Sequence, residues 1–347
     1  MLRTSHLRHF ALLFGSSLAF TLALFGGLGN WSIAQGAEPL CVEPTGAGSC
    51  YTTIAGAVTA AANGETIQIH AGTYYENVDA GSKSLTFQGD GRSATIVDGG
   101  NNARVFKVTN GFNLAFYDLT VRNGDSGSLN GGGVYLGGRG NLLTLVNVDV
   151  LSSTAGAKGG GAYSYGSATI SNTNFISNTA GITSAGSGAG LFTQATLTVT
   201  SGRFERNVSY GGSGGGLAQN GSLYSATITG THFYSNTAGN GNGGGASITG
   251  ATGVVENAFF QGNQATGIGI GGAVYAPSGT GASLEAMNVD AFNNMAVNGG
   301  AIYAGRDATI SGGRYMNNMG DGVSGHGGAL CANKAMTVTD AQIIGNY

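Results

Sequence analysis

The chain has 347 residues, 66 of them Gly and 3 Pro, with 9% charged residues and a formal net charge of −3. So few prolines without a Gly-X-Y period exclude collagen, and 41% hydrophobic content at so small a net charge excludes charge-driven disorder. Fourteen Lys+Arg against seventeen Asp+Glu leave no basic surface for nucleic acid.

Residues 1–37 read as a secretory signal. Arg3 and Arg8 precede an apolar run from Phe10 to Leu28, and the small residues Ser32, Ala34, Gly36 and Ala37 follow. Cleavage falls between Ala34 and Ala37, and an uncleaved membrane anchor is the competing reading. Nothing later in the chain is long and apolar enough to span a bilayer, so the mature chain is expected at the cell surface or secreted. Cys41 and Cys50 then flank a turn-rich loop, Pro44-Thr45-Gly46-Ala47-Gly48. In an oxidising compartment they pair as a disulfide. Zinc is the alternative, disfavoured because no His neighbours the two thiols. Cys331 is left over. Thr52 to Asn63 is the one good helix candidate, with Ile54, Ala57, Val58 and Ala61 on one face. It is suited to cap a stacked core within a segment spanning 38–65.

From residue 66 the chain reads as strands. Irregular coils over 66–128 include Thr66 to His70, Leu85-Thr86-Phe87, Val105 to Val108 and Leu114 to Val121. Over 129–347 a Gly-Gly-small-aliphatic box recurs about every 28 residues. Its aliphatic position is held by Val134, Ala162, Leu191, Leu217, Ala246, Val274, Ile302 and Leu330. Between boxes an apolar residue is followed three positions later by Asn: Phe175/Asn178, Phe204/Asn207, Phe233/Asn236, Phe260/Asn263, Tyr315/Asn318 and Ile343/Asn346, with Ala291/Asn294 a weaker copy. A unit this small cannot bury its own apolar face, but stacked units bury theirs together. The expectation is an all-β parallel solenoid of about 10–11 coils, each strand pairing with its counterpart ~4.8 Å away in the next coil. The recurring Asn residues form an amide ladder along the axis, and Gly serves corners that need positive φ. The last unit breaks off at Asn346-Tyr347, which suggests a truncated copy of a longer repeat protein.

Tyr51-Thr52-Thr53-Ile54 through Gly64-Glu65-Thr66-Ile67 to Gly72-Thr73-Tyr74 resembles the start of the pectin-lyase-like superfamily. The Gly-Gly-Ala-Ile-Tyr and Phe-x-x-Asn-x-Ala units resemble secreted bacterial β-helix repeat proteins, including the polymorphic outer membrane protein type. The resemblance covers about residues 41–347. It implies a right-handed parallel β-helix and opens the possibility of a polysaccharide lyase or glycoside hydrolase.

The residues give that chemistry little support. Inverting hydrolysis needs two carboxyl groups roughly 6.5–9.5 Å apart, and the acids are scattered. Asp149 and Asp290 fall at equivalent positions but about five coils apart. Gly325-His326-Gly327 matches a polygalacturonase motif, yet no Asp-Asp pair exists and Asn172-Thr173-Asn174 lacks the acid of Asn-Thr-Asp. His326 reads as a turn residue. Gly211 to Gly215 matches the serine-elbow pattern without its strand-to-helix context. No cofactor, metal site or catalytic set is expected. The remaining candidate is a surface. After each box aliphatic come Tyr135, Tyr163, Phe192, Tyr275 and Tyr303, interrupted by Ala218 and Ser247. Alternation sends these opposite to the core, either as residues that simply suit strands and cover the backbone or as an outward aromatic stripe suited to sugar rings or a protein partner. The sequence therefore points to a non-enzymatic exported β-helix, adhesin-like or structural in the envelope, whose partners are extracellular polysaccharide or a surface protein. A polysaccharide-active enzyme, or a carbohydrate-binding remnant of one, is the alternative.

Overall fold

The computed structural model describes residues 40–276, 283–322 and 326–347; the expected signal at 1–37 lies outside the described residues. The described chain is an all-β parallel solenoid of about eleven turns. Its strands form a long wall of 19, a box wall of ten and a short wall of seven. One coil shows the path: Ala162–Ser164 in the box wall, Ser167–Ile176 in the long wall, Thr179–Ala180 in the short wall, then Leu191–Thr193 in the next box strand. Pairing is parallel and like stacks on like. Ala162 sits between Val134 and Leu191, and Thr169 between Thr144 and Thr198. The aliphatic box residues point into the core, with Val134, Val274 and Ile302 all buried.

The corners follow a rule tied to the core position held by Val150, Phe175, Phe204, Phe233, Phe260, Ala291 and Tyr315. The residue three before it is left-handed at Asn147, Asn172, Ser201, Asn257 and Asn288. So is the residue two after it, at Ser152, Ser177, Arg206, Ser235, Asn293 and Asn317. All these φ values lie between 45° and 64°. Asn and Ser tolerate this region through short polar side chains, and Arg206 is the one long side chain among them. The box opens on a left-handed Gly, such as Gly159 (φ 67°). Its third Gly is held by close packing: a Cβ on Gly161 would lie 2.5 Å from the Gly190 carbonyl oxygen.

Behind the long wall, Phe175, Phe204, Phe233 and Phe260 stack with ring centroids 4.8, 4.9 and 4.5 Å apart and interplanar angles of 10°, 6° and 6°. The column then runs through Ala291 to Tyr315. Tyr315 is fully buried and its hydroxyl has no hydrogen-bond partner among the described residues. Burial raises its pKa, with a smaller contribution from Asp290. An unpaired buried hydroxyl carries its desolvation cost, so Tyr315→Phe is expected to raise the unfolding free energy by about 1–3 kcal/mol. A urea midpoint that moves down instead of up would show that the hydroxyl has a partner in solution.

The N-terminal end is closed by the helix Ile54–Ala60, which buries Ile54, Ala57 and Val58. Thr53 caps it by accepting from the Gly56 N–H, and the Glu76 carboxylate accepts from the N–H groups of Ile54 and Ala55 at 2.8 and 2.9 Å. Lys83 Nζ donates to the Val58 and Thr59 carbonyls at the other end. Both charges therefore suit the helix dipole. A disulfide joins Cys41 to Cys50, with Cα atoms 4.8 Å apart, and Cys331 is free.

Candidate functional site

The buried amides come first, because they consume polar groups that would otherwise be available to a ligand. Asn178, Asn207, Asn236, Asn263, Asn294 and Asn318 are fully buried. From Asn207 to Asn318, each Oδ1 accepts from the backbone N–H and Nδ2 of the equivalent Asn in the preceding coil. Each Nδ2 also donates to a core carbonyl of the preceding coil. For Asn236 the four distances are 3.1, 2.9, 2.9 and 2.9 Å. Ser153 opens the ladder by donating its N–H to Asn178 Oδ1, and Asn346, half-buried, accepts at the other end from Asn318. With every amide saturated, the column has nothing left to offer a ligand.

The aromatic stripe does not stand free on the surface. Alternation does put it opposite the core, but Phe192 is fully buried and Tyr163 is 4% exposed. Tyr135, Tyr163 and Phe192 stack at 5.5 and 5.3 Å as a separate outer layer. Two cations from neighbouring loops lie over it: Arg104 is 4.3 Å from the Tyr135 ring and Lys158 is 4.8 Å from Phe192. Desolvation of this layer is the main reason that the Tyr163 pKa is pushed up to about 12. Tyr275 and Tyr303 are only half-buried, stacked at 6.1 Å, with the Tyr303 hydroxyl donating to Asn333 Oδ1 at 2.6 Å. Of the five predicted residues, Tyr275 alone reaches the groove described next.

That groove has a volume of about 680 Å³ and lies where box strands turn into the long wall. Its principal side chains are Arg139, Tyr165, Gln194, Asn220, Tyr224 and Tyr275. It arises because turn length varies from coil to coil. Tyr165-Gly166 is tight, and a Cβ on Gly166 would sit 2.1 Å from the Asn141 carbonyl oxygen. Residues 220–225, Asn-Gly-Ser-Leu-Tyr-Ser, form a longer excursion. Buried Gln219 anchors it, its Nε2 donating to the Ala195 and Gly221 carbonyls at 3.2 Å each. Thr249 Oγ1 donates to Asn220 Oδ1 at 3.1 Å and to the Gln219 carbonyl at 2.9 Å. Beneath the groove, the buried Gln219 Oε1 and Asn141 Oδ1 have no partner among the described residues. Arg139 lies 5.8 Å from the Tyr165 ring centroid and is the lone charged residue of the described lining, which contains no carboxylate.

Several acids lie on the long wall, engaged with neighbouring side chains. Asp90 takes Gln68 Nε2 at 2.9 Å and faces His70 Nδ1 at 3.2 Å. Asp118 takes Gln88 Nε2 at 2.9 Å and Asn147 Nδ2. Asp149 takes Arg92 at 3.1 Å and Asn174 Nδ2 at 2.7 Å. Asp290 pairs with Arg314 Nε at 3.1 Å. For Asp98, burial raises the carboxyl, but the Gly100 N–H, Arg122 and Asn123 together outweigh it and hold it below the ordinary range. No group of three or more His, Cys, Asp or Glu among the described residues is placed to hold a metal ion. Exposed His326 is held through its backbone, donating its N–H to Asn298 Oδ1 at 3.3 Å and accepting from the Gly299 N–H at 3.2 Å.

The fold is a parallel β-solenoid, as the pectin-lyase-like resemblance implied. Among solved structures, the chain is similar to a pectin methylesterase from carrot (16% identity, 74% of this chain and 83% of that one, TM-score 0.45). It is also similar to an α-1,3-glucanase catalytic unit from Streptomyces thermodiastaticus (15% identity, 88% and 69%, TM-score 0.40) and to Escherichia coli YbhC (14%, 88% and 86%, TM-score 0.41). Likeness at this level carries no activity across. No family model and no curated protein matches the chain.

Proposed function

We propose that this protein is an exported, non-enzymatic β-solenoid that binds an extracellular polysaccharide in the groove between the box and long walls, as an adhesin-like or envelope module. The groove's combination of aromatic faces, amides and no carboxylate carries this reading. A cavity of this size is in the range of small-molecule sites. Tyr165, Tyr224 and Tyr275 offer flat faces with hydroxyls, which suit the apolar faces and polar rims of sugar rings, and Gln194 and Asn220 add donors and acceptors. The described lining of the groove holds no carboxyl pair for hydrolysis. Export is supported by the character of residues 1–37 and by the Cys41–Cys50 disulfide, a bond that persists in oxidising compartments. Among the described residues no helix is long and apolar enough to cross a membrane.

The test is a polysaccharide panel scored for both retention and product release. Tyr224→Ala with Tyr275→Ala is expected to weaken retention at least tenfold with no products released by any form. Retention that ignores the double variant removes the groove from the account. Release of new reducing ends or unsaturated sugars replaces the binder with an enzyme.

A further inference from the structure

The long wall carries a second, independent surface ahead of its left-handed bend. Its outward positions run Thr144 and Val146, Thr169 and Ser171, Thr198 and Thr200, Thr227 and Thr229, and, after two coils, Thr309 and Ser311, Thr337 and Thr339. The pairing register places them in two straight columns. The two intervening coils bring Val254 with Glu256 and Glu285 with Met287 into the same columns. The columns repeat at ~4.8 Å along the axis and stand roughly 6.6 Å apart across it, twice the rise per strand residue.

Three features make this more than a polar coat. Thr169, Thr200, Thr309, Thr337 and Thr339 are exposed, and the other Thr and Ser of the two columns are half-buried. Their hydroxyls make no hydrogen bond to protein among the described residues. The hydroxyl contacts nearby come from the inward Thr173 and Thr231, which donate to the backbone carbonyls of Ser171 and Thr229 at 3.0 Å each. Threonine is also stiff at χ1, so each oxygen and methyl is held rather than averaged.

We propose that this threonine-faced wall orders water into a lattice and binds ice. Its two repeats lie near the oxygen repeats on the prism plane of hexagonal ice. Rigid unspent hydroxyls can complete that lattice while the methyl groups sit between its oxygens, with little entropy of side-chain ordering to lose. The site is separate from the groove and does not rest on the carbohydrate reading.

The experiment is ice-affinity partition of the full chain, scored as the fraction taken into a slowly growing ice front, together with ice recrystallisation inhibition. The wild type is expected to enrich in ice. Thr198→Lys with Thr227→Lys is expected to reduce enrichment at least tenfold while leaving the thermal unfolding midpoint and polysaccharide retention unchanged. Replacing Val254, Glu256, Glu285 and Met287 by Thr joins the two blocks and is expected to increase enrichment. Wild-type protein rejected by the ice front, or a lysine variant that enriches equally while folded, overturns the proposal. Adsorption to crystalline polysaccharide in place of ice overturns it as well.

Discussion

Asn236→Ala is expected to cost about 3–5 kcal/mol, although it removes only one small side chain. The amide makes four hydrogen bonds in a fully buried site. Alanine strands the Asn207 N–H and takes one partner each from Asn207 Nδ2, the Phe204 carbonyl and Asn263 Oδ1. Asn207 Nδ2 keeps the Phe175 carbonyl, and Asn263 Oδ1 keeps the backbone N–H of position 236. Each unsatisfied buried group costs roughly 1–3 kcal/mol, softened where a water enters or a neighbour relaxes. Asn346→Ala provides the comparison. Its amide sits at the half-buried end of the ladder, within reach of solvent, so the same change there is expected to cost about 1 kcal/mol or less. Urea unfolding of the two variants checks this. Because coils contact only their neighbours, Asn236→Ala is also expected to broaden the transition as the stack loses cooperativity at its middle. Equal costs at 236 and 346 would mean that the ladder contributes no more than a surface turn.

That ladder was legible in the sequence because its physics is one-dimensional. A buried amide is satisfied only by another amide one coil away, so Asn must recur in register, and the apolar residue three before it recurs with it. The inward aliphatics of the box were legible for the same reason. The surface was not. The bends at Asn172 and Ser177 flank Phe175 at −3 and +2 in the chain, and that pattern was available as a Ser/Asn/Gly column. It went unread because the turn residues vary while the backbone angle does not. The aromatic stripe was misplaced because alternation tells which side of a strand a ring occupies, but not what lies over it. The cover on Tyr135 and Phe192 comes from Arg104 and Lys158, loop residues 31 and 34 positions away in sequence. The groove depends on one lengthened turn, 220–225, beside shorter ones. A repeat search discards such irregularities as noise.

Phe233→Ala is expected to cost about 3–5 kcal/mol, and its neighbours decide where in that range it falls. Phe233 is fully buried between Phe204 at 4.9 Å and Phe260 at 4.5 Å, each ring within 6° of parallel. Truncation removes the buried area of one ring and both stacking contacts, the latter worth about 0.5–1.5 kcal/mol per pair beyond area. Collapse of the gap is opposed from two sides. The wall's hydrogen bonds fix the strand spacing, and the Asn236 amide ties the carbonyl of Phe204 to the ladder. Phe233→Leu keeps most of the volume and loses mainly the ring contacts, so about 1–2 kcal/mol is expected. The chain already tolerates a small residue in this column at Ala291, where Tyr315 follows with its hydroxyl unpaired. That small residue is followed by an unpaired hydroxyl in the next coil, whereas the column from Phe175 to Phe260 is aromatic throughout. Chemical denaturation of the alanine and leucine variants separates the contributions. If the two lose the same stability, ring stacking is not what holds these coils in register, and backbone pairing with the amide ladder suffices.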